Sequence, residues 1–317
     1  MKALGVTGVP TGRWFCEIKY DGYRAVAVLN RGQVELWSRA HKSMTHDFPE
    51  IAAALKMVKC RNAVLDGEIV ALDSAGRSRF QLLQNRELNE ARSPLVYFIF
   101  DVIQQDGDAL TGLPLEERRK RLQMLLDGTS NPLQLSPSFE VEPADLMKAA
   151  RKQRLEGIVA KKPGSLYEPG RRSGAWLKCK ILGEQEFIIG GFTPPQRSCQ
   201  YFGAVLIGYY QRRKLLYAGK VGTGFNARLL ETLHARFLKI KRQQCPFENL
   251  PMDHKSRFGT GMTRREMRKV TWLKPALVAQ IKFAEWTDDG MLRQPVFLGL
   301  RKDKLARDVR READPAG

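Results

Sequence analysis

Glu17-Ile18-Lys19-Tyr20-Asp21-Gly22-Tyr23-Arg24 is the stretch on which the reading of this chain turns. It follows the apolar pair Trp14-Phe15, so residues 14–18 predict a strand entering a core, and Gly22 marks a backbone turn. Strand residues two apart project to one face, which places Glu17 beside Lys19. An amine held next to an acid suits nucleophilic chemistry, whereas a solvated charged hairpin suits the same eight residues. The surrounding sequence has to separate the two.

Outward from this stretch the chain alternates strands and helices. Residues 25–29 and 34–37, joined by Asn30-Arg31-Gly32, read as an antiparallel hairpin. A helix is expected over 49–58, then a strand over 63–72 carrying Asp66-Gly67-Glu68, then a buried apolar strand over 95–103. Helices over 115–126 and 144–154 precede short strands at 157–160 and 175–181. Strands interrupted by helices, with no regular βαβ repeat, predict an α+β domain with antiparallel sheets and flanking helices. After Glu186 the texture changes to short strands (187–192, 204–210, 215–221, 277–286) around one helix capped by Asn226. Leu229, Leu230, Leu233, Phe237 and Ile240 form that helix's apolar face. This suits a small OB-fold β-barrel, giving expected domains 1–183 and 184–317 with a hinge at Leu182-Gly183. The tail after Asp308 reads as disordered.

Composition narrows the function. At 43% apolar and 27% charged residues the chain is globular, and no apolar run approaches the roughly 20 residues of a membrane span. The N-terminus lacks the apolar core of a signal peptide. Cys16, Cys60, Cys179, Cys199 and Cys245 are scattered and form no C-x-x-C pair, which argues against a disulfide framework or a zinc site and fits a reducing cytoplasm. The net charge of +19 is the informative number. Basic residues outnumber acidic ones 28 to 21 up to Gly183 and 25 to 13 after it, so the shorter part carries the larger excess. Such a surface gains affinity for a polyanion by releasing phosphate counterions, which points to nucleic acid. Residues 254–274, with seven basic residues against one acid, suit a DNA-facing loop or a solvated insertion equally.

Several charged groups fall on predicted strands. Asp66 and Glu68 share one strand face, Glu156 stands at the mouth of a strand, and Lys178 and Lys180 alternate along Trp176-Leu177-Lys178-Cys179-Lys180. Singly, alternating lysines are an edge device and acid-Gly-acid is a turn. Together they describe nucleotidyl transfer. Only a free amine attacks phosphorus, and neighbouring cations favour the free amine at Lys19 while stabilising a triphosphate's charge. Glu68 and Glu156 offer hard oxygens suited to Mg²⁺. Phe98 and Phe100 share one face of the 95–103 strand, so either can stack on a purine.

These residues also carry a family resemblance. The chain resembles the ATP-dependent DNA ligases, within the covalent nucleotidyltransferase superfamily. Lys19-Tyr20-Asp21-Gly22-Tyr23-Arg24 looks like motif I, Ser38-Arg39 like motif Ia, and Leu65-Asp66-Gly67-Glu68-Ile69 like motif III. Phe98-Ile99-Phe100-Asp101 resembles motif IIIa, Glu156-Gly157-Ile158-Val159 motif IV, and Trp176 to Lys180 motif V. The run from Arg293 to Arg301, with Asp303-Lys304, looks like motif VI. Gly190-Gly191-Phe192-Thr193, the run from Ala218 to Phe225 and Phe283-Ala284-Glu285-Trp286-Thr287 resemble the ligase domain of bacterial end-joining ligase D.

The resemblance implies an adenylation domain followed by an OB domain, ATP with Mg²⁺ (or Mn²⁺), and sealing of nicked duplex DNA by a monomer. A Ku-like end-binding partner is left open, as is whether the chain stands alone or is a module of a longer one. By the same resemblance Lys19 forms the lysyl-AMP, Glu17 reads the adenine amino group and Phe100 stacks on the base. Arg24 and Arg39 contact ribose or phosphate, Glu68 holds ribose or metal, and Glu156 holds metal. Lys178 and Lys180 grip the α-phosphate, and Arg293, Arg301 and Lys304 orient the β,γ-phosphates across a closing hinge. The rivals are an mRNA-capping guanylyltransferase, an RNA ligase and a non-enzymatic basic DNA-binding protein. Gly222-x-Gly224-x-x-Ala227 lacks the acid a dinucleotide fold wants some 20 residues on, and reads as a barrel turn.

Overall fold

The computed structural model describes all residues except 7, 88–92, 154, 182, 196–200, 252–261, 288 and 313–317. Contacts divide the chain into two units, Met1–Ile181 and Leu182–Ala316.

The first unit contains β1 (Leu4–Gly5), β2 (Phe15–Ile18), β3 (Tyr23–Asn30), β4 (Gln33–Ser38), α1 (Pro49–Leu55), β5 (Asn62–Ala71), α2 (Phe80–Glu87), β6 (Leu95–Gln105), β7 (Asp108–Ala109), α3 (Leu115–Leu125), β8 (Leu133–Leu135), β9 (Ser138–Glu140), α4 (Pro143–Lys152), β10 (Gly157–Lys161) and β11 (Trp176–Lys180). They form two sheets, of order β1-β11-β10-β2-β9 and β4-β3-β5-β6-β7, with β8 added parallel to β6. Among the described residues of this unit, only β1 on β11 and β8 on β6 pair in parallel.

The first sheet has two different faces because its residues alternate in character. Cys16, Ile158, Ala160 and Cys179 point to one side and are buried. Met147 and Ala150 of α4 pack against that side, α4 being amphipathic with Pro143 at its first turn. The opposite side carries Phe15, Glu17, Val159, Lys161, Trp176 and Lys178, which the register sets directly across from one another. In the second sheet β5 is the central strand, flanked by β3 and β6. Gly67 is no turn residue. It lies mid-strand in β5, where a Cβ would come within 2.4 Å of the Tyr97 ring, so a side chain there would displace the tyrosine. Tyr97 is buried, and its hydroxyl donates to the Ala25 carbonyl at 2.9 Å.

The second unit contains β12 (Gly183–Phe192), β13 (Val205–Gln211), β14 (Lys214–Val221), α5 (Ala227–Leu238), β15 (Lys241–Arg242), α6 (Arg264–Met267), β16 (Thr271–Phe283), β17 (Glu285–Trp286), β18 (Leu292–Arg293) and β19 (Val296–Leu300). Its main sheet runs β14-β13-β12-β16-β15 with β19 on β16, the OB-type unit the sequence suggests. Asn226 caps α5 by accepting the Leu229 N–H at 2.8 Å, and Leu233 and Phe237 bury themselves in the core.

Three sequence expectations need correction here. β16 begins at Thr271, six residues before the expected 277, because the strand continues past Pro275, across a gap in the β12 register between Trp272 and Leu277. The basic stretch before it also contains the capped helix α6, while residues 254–261 lie outside the described residues. The tail is ordered from Val309 to Glu312, and residues 313–317 lie outside the described residues. Val309 is buried, its carbonyl accepts from the Tyr210 N–H at 3.0 Å, and Glu312 N–H donates to Gln185 Oε1 at 2.9 Å. Among the described residues no helix is long and apolar enough to cross a membrane.

Candidate active site

The site is built on the charged face of the first sheet. Lys19 follows β2 directly, and its N–H donates to the Gly157 carbonyl at 2.9 Å, which extends the β2–β10 ladder by one residue. Lys180 pairs with the same Gly157, and Glu17 and Lys178 both pair with Val159. Residues directly opposite in a ladder share a face, so Glu17, Lys19, Lys178 and Lys180 project together. Of the strand residues singled out, Lys178 and Lys180 thus share a face with Glu17 and Lys19, whereas Asp66 and Glu68 lie on β5 of the second sheet. Gly157 makes the arrangement possible: at φ +153° its absent Cβ would lie 2.1 Å from the Cys179 carbonyl oxygen.

The Lys19 ammonium is ion-paired with Glu156 Oε1, and the Glu156 side chain is only 5% exposed. The second oxygen, Glu156 Oε2, is buried with no hydrogen-bond partner among the described residues. A buried, unsatisfied carboxylate oxygen is costly unless it meets a donor or a cation. That fits Mg²⁺, which uses one or two carboxylates and completes its octahedron with phosphate oxygens and water. The described residues hold no cluster of three or more acids, His or Cys that would make an all-protein metal cage. Glu68, the other expected metal ligand, is half-buried on β5 in the second sheet, opposite Arg24 of β3 and Phe98 of β6.

Arg24 is held by Asp66, a fully buried carboxylate, through Nε at 2.9 Å and through Nη2. The Tyr167 hydroxyl donates to Asp66 at 2.8 Å. Burial works against the guanidinium charge, but Asp66 outweighs it and raises the Arg24 pKa. Arg24 also lies 5.5 Å from the centre of the Phe100 ring. With Arg39, Trp37, His41 and Tyr167 it lines a cavity of about 590 Å³. Arg24 and Arg39 therefore meet in one concavity.

Of the two candidate aromatics, Phe98 is buried in a parallel stack with Tyr20, 4.0 Å between centroids. Phe100 is half-buried, edge-to-face with Trp176 at 5.9 Å, and has the Lys161 ammonium 4.8 Å from its ring centre.

The structure adds residues that sequence reasoning missed. Glu17 is 3% exposed and accepts from Lys161 at 2.6 Å, Arg119 at 2.7 Å and the Ser136 hydroxyl at 3.1 Å. Burial lowers the Lys161 pKa, and Glu17 opposes that shift. Beside Phe100, Asp101 is fully buried and clamped by Arg118 of α3 at 2.8 and 3.0 Å. Lys161 was within reach of the sequence, since it keeps the two-residue phase of Gly157 and Val159. Arg118 and Arg119 were not, because Arg118-Arg119-Lys120-Arg121 reads as a solvated helix face.

In the second unit, Arg293 pairs with Glu285 at 2.6 Å, Arg301 with Asp303 at 2.8 Å, and Lys304 with Glu186 at 2.8 Å. Burial would raise the Asp303 pKa, but Arg301 more than offsets this and the carboxyl is held below its usual range.

Comparison with known proteins gives this arrangement its family. Residues 5–180 match the ATP dependent DNA ligase domain, and residues 198–304 match the ATP dependent DNA ligase C terminal region. The multifunctional non-homologous end joining protein LigD of Pseudomonas aeruginosa is 38% identical over 312 residues, covering 97% of this chain and 36% of the relative. The corresponding Mycobacterium tuberculosis protein is 34% identical over 308 residues, covering 97% of this chain and 38% of the relative. The chain thus spans little more than a third of the length of these curated relatives. Among solved structures, mycobacterial DNA ligase D complexed with ATP and MES has a TM-score of 0.67 at 34% identity, with 98% of both chains covered. The ligase domain of M. tuberculosis LigD has a TM-score of 0.51 at the same identity, covering 98% of this chain and 97% of that one. With matching family descriptions over both units and a relative 38% identical over 97% of its length, the chain belongs to the ATP-dependent DNA ligase family.

Proposed function

We propose that this chain seals 5′-phosphate/3′-hydroxyl nicks in duplex DNA through a covalent lysyl-AMP at Lys19. The observation that carries the reading is the ion pair of Lys19 with the buried Glu156, on the sheet face that also bears Lys178 and Lys180. In the first step the Lys19 Nζ lone pair attacks the α-phosphorus of ATP. The phosphorus–nitrogen bond forms, the bond to the bridging oxygen breaks, and pyrophosphate leaves with that electron pair. Nζ must first shed a proton, and Glu156 Oε1, already its partner, is the base positioned to take it. Lys178 and Lys180 supply fixed positive charge for the α-phosphate. In the second step the 5′-phosphate of the nick takes the AMP and lysine is released. In the third the 3′-hydroxyl displaces AMP.

Glu156 and Glu68 are the residues that would hold Mg²⁺, which when bound neutralises phosphate charge and favours departure of pyrophosphate. Glu17 and Phe100 form the base pocket, and Arg24 and Arg39 bind ribose or phosphate in their shared cavity. Arg293, Arg301 and Lys304 are assigned to the β,γ-phosphates by their motif alone. An end-joining role rests on the names of the relatives; those names say nothing of a Ku-like partner, which stays open. The test is incubation with α-labelled ATP or GTP and Mg²⁺, followed by a denaturing gel and by sealing assays on nicked DNA and nicked RNA. An ATP-derived adduct lost in Lys19→Ala, with sealing of DNA, supports the proposal. A GTP-only adduct points to capping chemistry, and sealing of RNA alone to an RNA ligase.

A further inference from the structure

Glu17 is tethered by three side chains, and the tethers are uneven. An ionised carboxylate offers about four lone-pair positions on its two oxygens. Oε1 receives both cations, Arg119 at 2.7 Å and Lys161 at 2.6 Å. Oε2 receives the Ser136 hydroxyl alone among the described residues, at 3.1 Å. Each tether is anchored in turn. The second Arg119 nitrogen donates to the Ser136 carbonyl at 3.0 Å, and the Ser136 N–H donates to Ile99 of β6 at 2.8 Å. Lys161 donates to the Phe100 carbonyl at 3.2 Å and has its ammonium 4.4 Å from the Trp176 ring centre. The carboxylate is thereby fixed against β6, α3 and β10 at once.

A carboxylate held by two cationic donors presents acceptor oxygens only, accepting hydrogen bonds and donating none. With Oε1 saturated, Oε2 is the oxygen that can take a further N–H. A carbonyl oxygen placed there is repelled. The purines differ in this respect at C6, where adenine carries an amino group and guanine a carbonyl oxygen.

Resting on the proposed base pocket of Glu17 and Phe100, we infer that Arg119 and Lys161 are positioning residues that set nucleobase selectivity, by holding Glu17 as a fixed, accept-only partner for the 6-amino group of ATP. Neither touches the reacting phosphorus, and both act through Glu17. A cluster that served only to hold the fold would, when weakened, depress reaction with every nucleotide equally.

The experiment measures single-turnover formation of the covalent adduct on the full chain. It compares ATP, GTP and purine riboside triphosphate, which carries only hydrogen at C6, in the native protein, Arg119→Ala, Arg119→Lys and Lys161→Met. Native protein is expected to prefer ATP over purine riboside triphosphate by roughly tenfold or more, the worth of a hydrogen bond to a charged group. Arg119→Ala and Lys161→Met should move that ratio toward one, mainly through KM, and Arg119→Lys should restore most of it. A parallel fall with both nucleotides overturns the inference. If circular dichroism shows Lys161→Met unfolded, the Arg119 pair decides alone. No adduct with any nucleotide in native protein would instead defeat the reading of Lys19 as nucleophile.

Discussion

Gly157→Ala is the perturbation that separates this account from a generic basic sheet. The added Cβ would sit 2.1 Å from the Cys179 carbonyl oxygen, where ordinary contact begins at 3.4 Å, so the strands must part locally by about 1.3 Å (3.4 − 2.1). β10 cannot yield easily, because β11 and β2 hydrogen-bond it on both sides. Overpacking and the strained φ together cost roughly 2–5 kcal/mol, which in a unit of this size lowers Tm by about 4–20 °C. The functional cost is larger in proportion. The Gly157 carbonyl anchors the Lys19 backbone and Gly157 pairs with Lys180, so the shift separates nucleophile from phosphate-binding cation. A misplacement near 1 Å costs on the order of 10²-fold in rate. The assay is single-turnover adenylation beside thermal denaturation, with Gly128→Ala as control. Gly128 has φ +72° with open space where its Cβ would be, so that variant should lose about 1 kcal/mol of stability and keep its adenylation rate. Folded Gly157→Ala adenylating within about threefold of native would refute the reasoning.

Two further outcomes follow from buried groups. Asp101→Ala strands Arg118, a guanidinium with no exposed surface, and should destabilise the first unit by about 3–5 kcal/mol; chemical denaturation checks this, and Asp101→Leu/Arg118→Met should recover much of the loss. Cys16 and Cys179 are pushed by burial from an ordinary 9.0 to about 11. Both states are protonated below pH 9; between pH 9 and 11 only the unfolded chain loses these protons, so stability falls with rising pH and levels off above. Each thiol accounts for roughly 2–3 kcal/mol of that fall, and denaturation curves of Cys16→Ala/Cys179→Ala should show a flatter alkaline limb than the native protein.

What the sequence made legible was the part written in two-residue alternation. Glu17 and Lys19, and Lys178 and Lys180, each announce a shared strand face, and the ladder through Gly157 and Val159 joins the two pairs. What it hid was partnership across long separations. Glu17 and Arg119 are 102 residues apart, and nothing in a run of four cations marks which of them turn inward. Glu17 as a base reader came from resemblance, whereas the tethers that fix it exist only in the fold. The ordered tail was missed for a similar reason. Residues 309–312 are polar but for Val309, and what holds them is Gln185 and Tyr210, more than 90 residues upstream.

The central claim is that Lys19 is a nucleophile toward the α-phosphorus of ATP. Mass spectrometry of the protein after incubation with ATP and Mg²⁺, followed by peptide mapping, measures it directly. The account predicts one AMP-sized increment on the peptide containing Lys19, labile to acid as a phosphoramidate, and absent from Lys19→Ala. An increment on any other residue, or one that persists in Lys19→Ala, would contradict it.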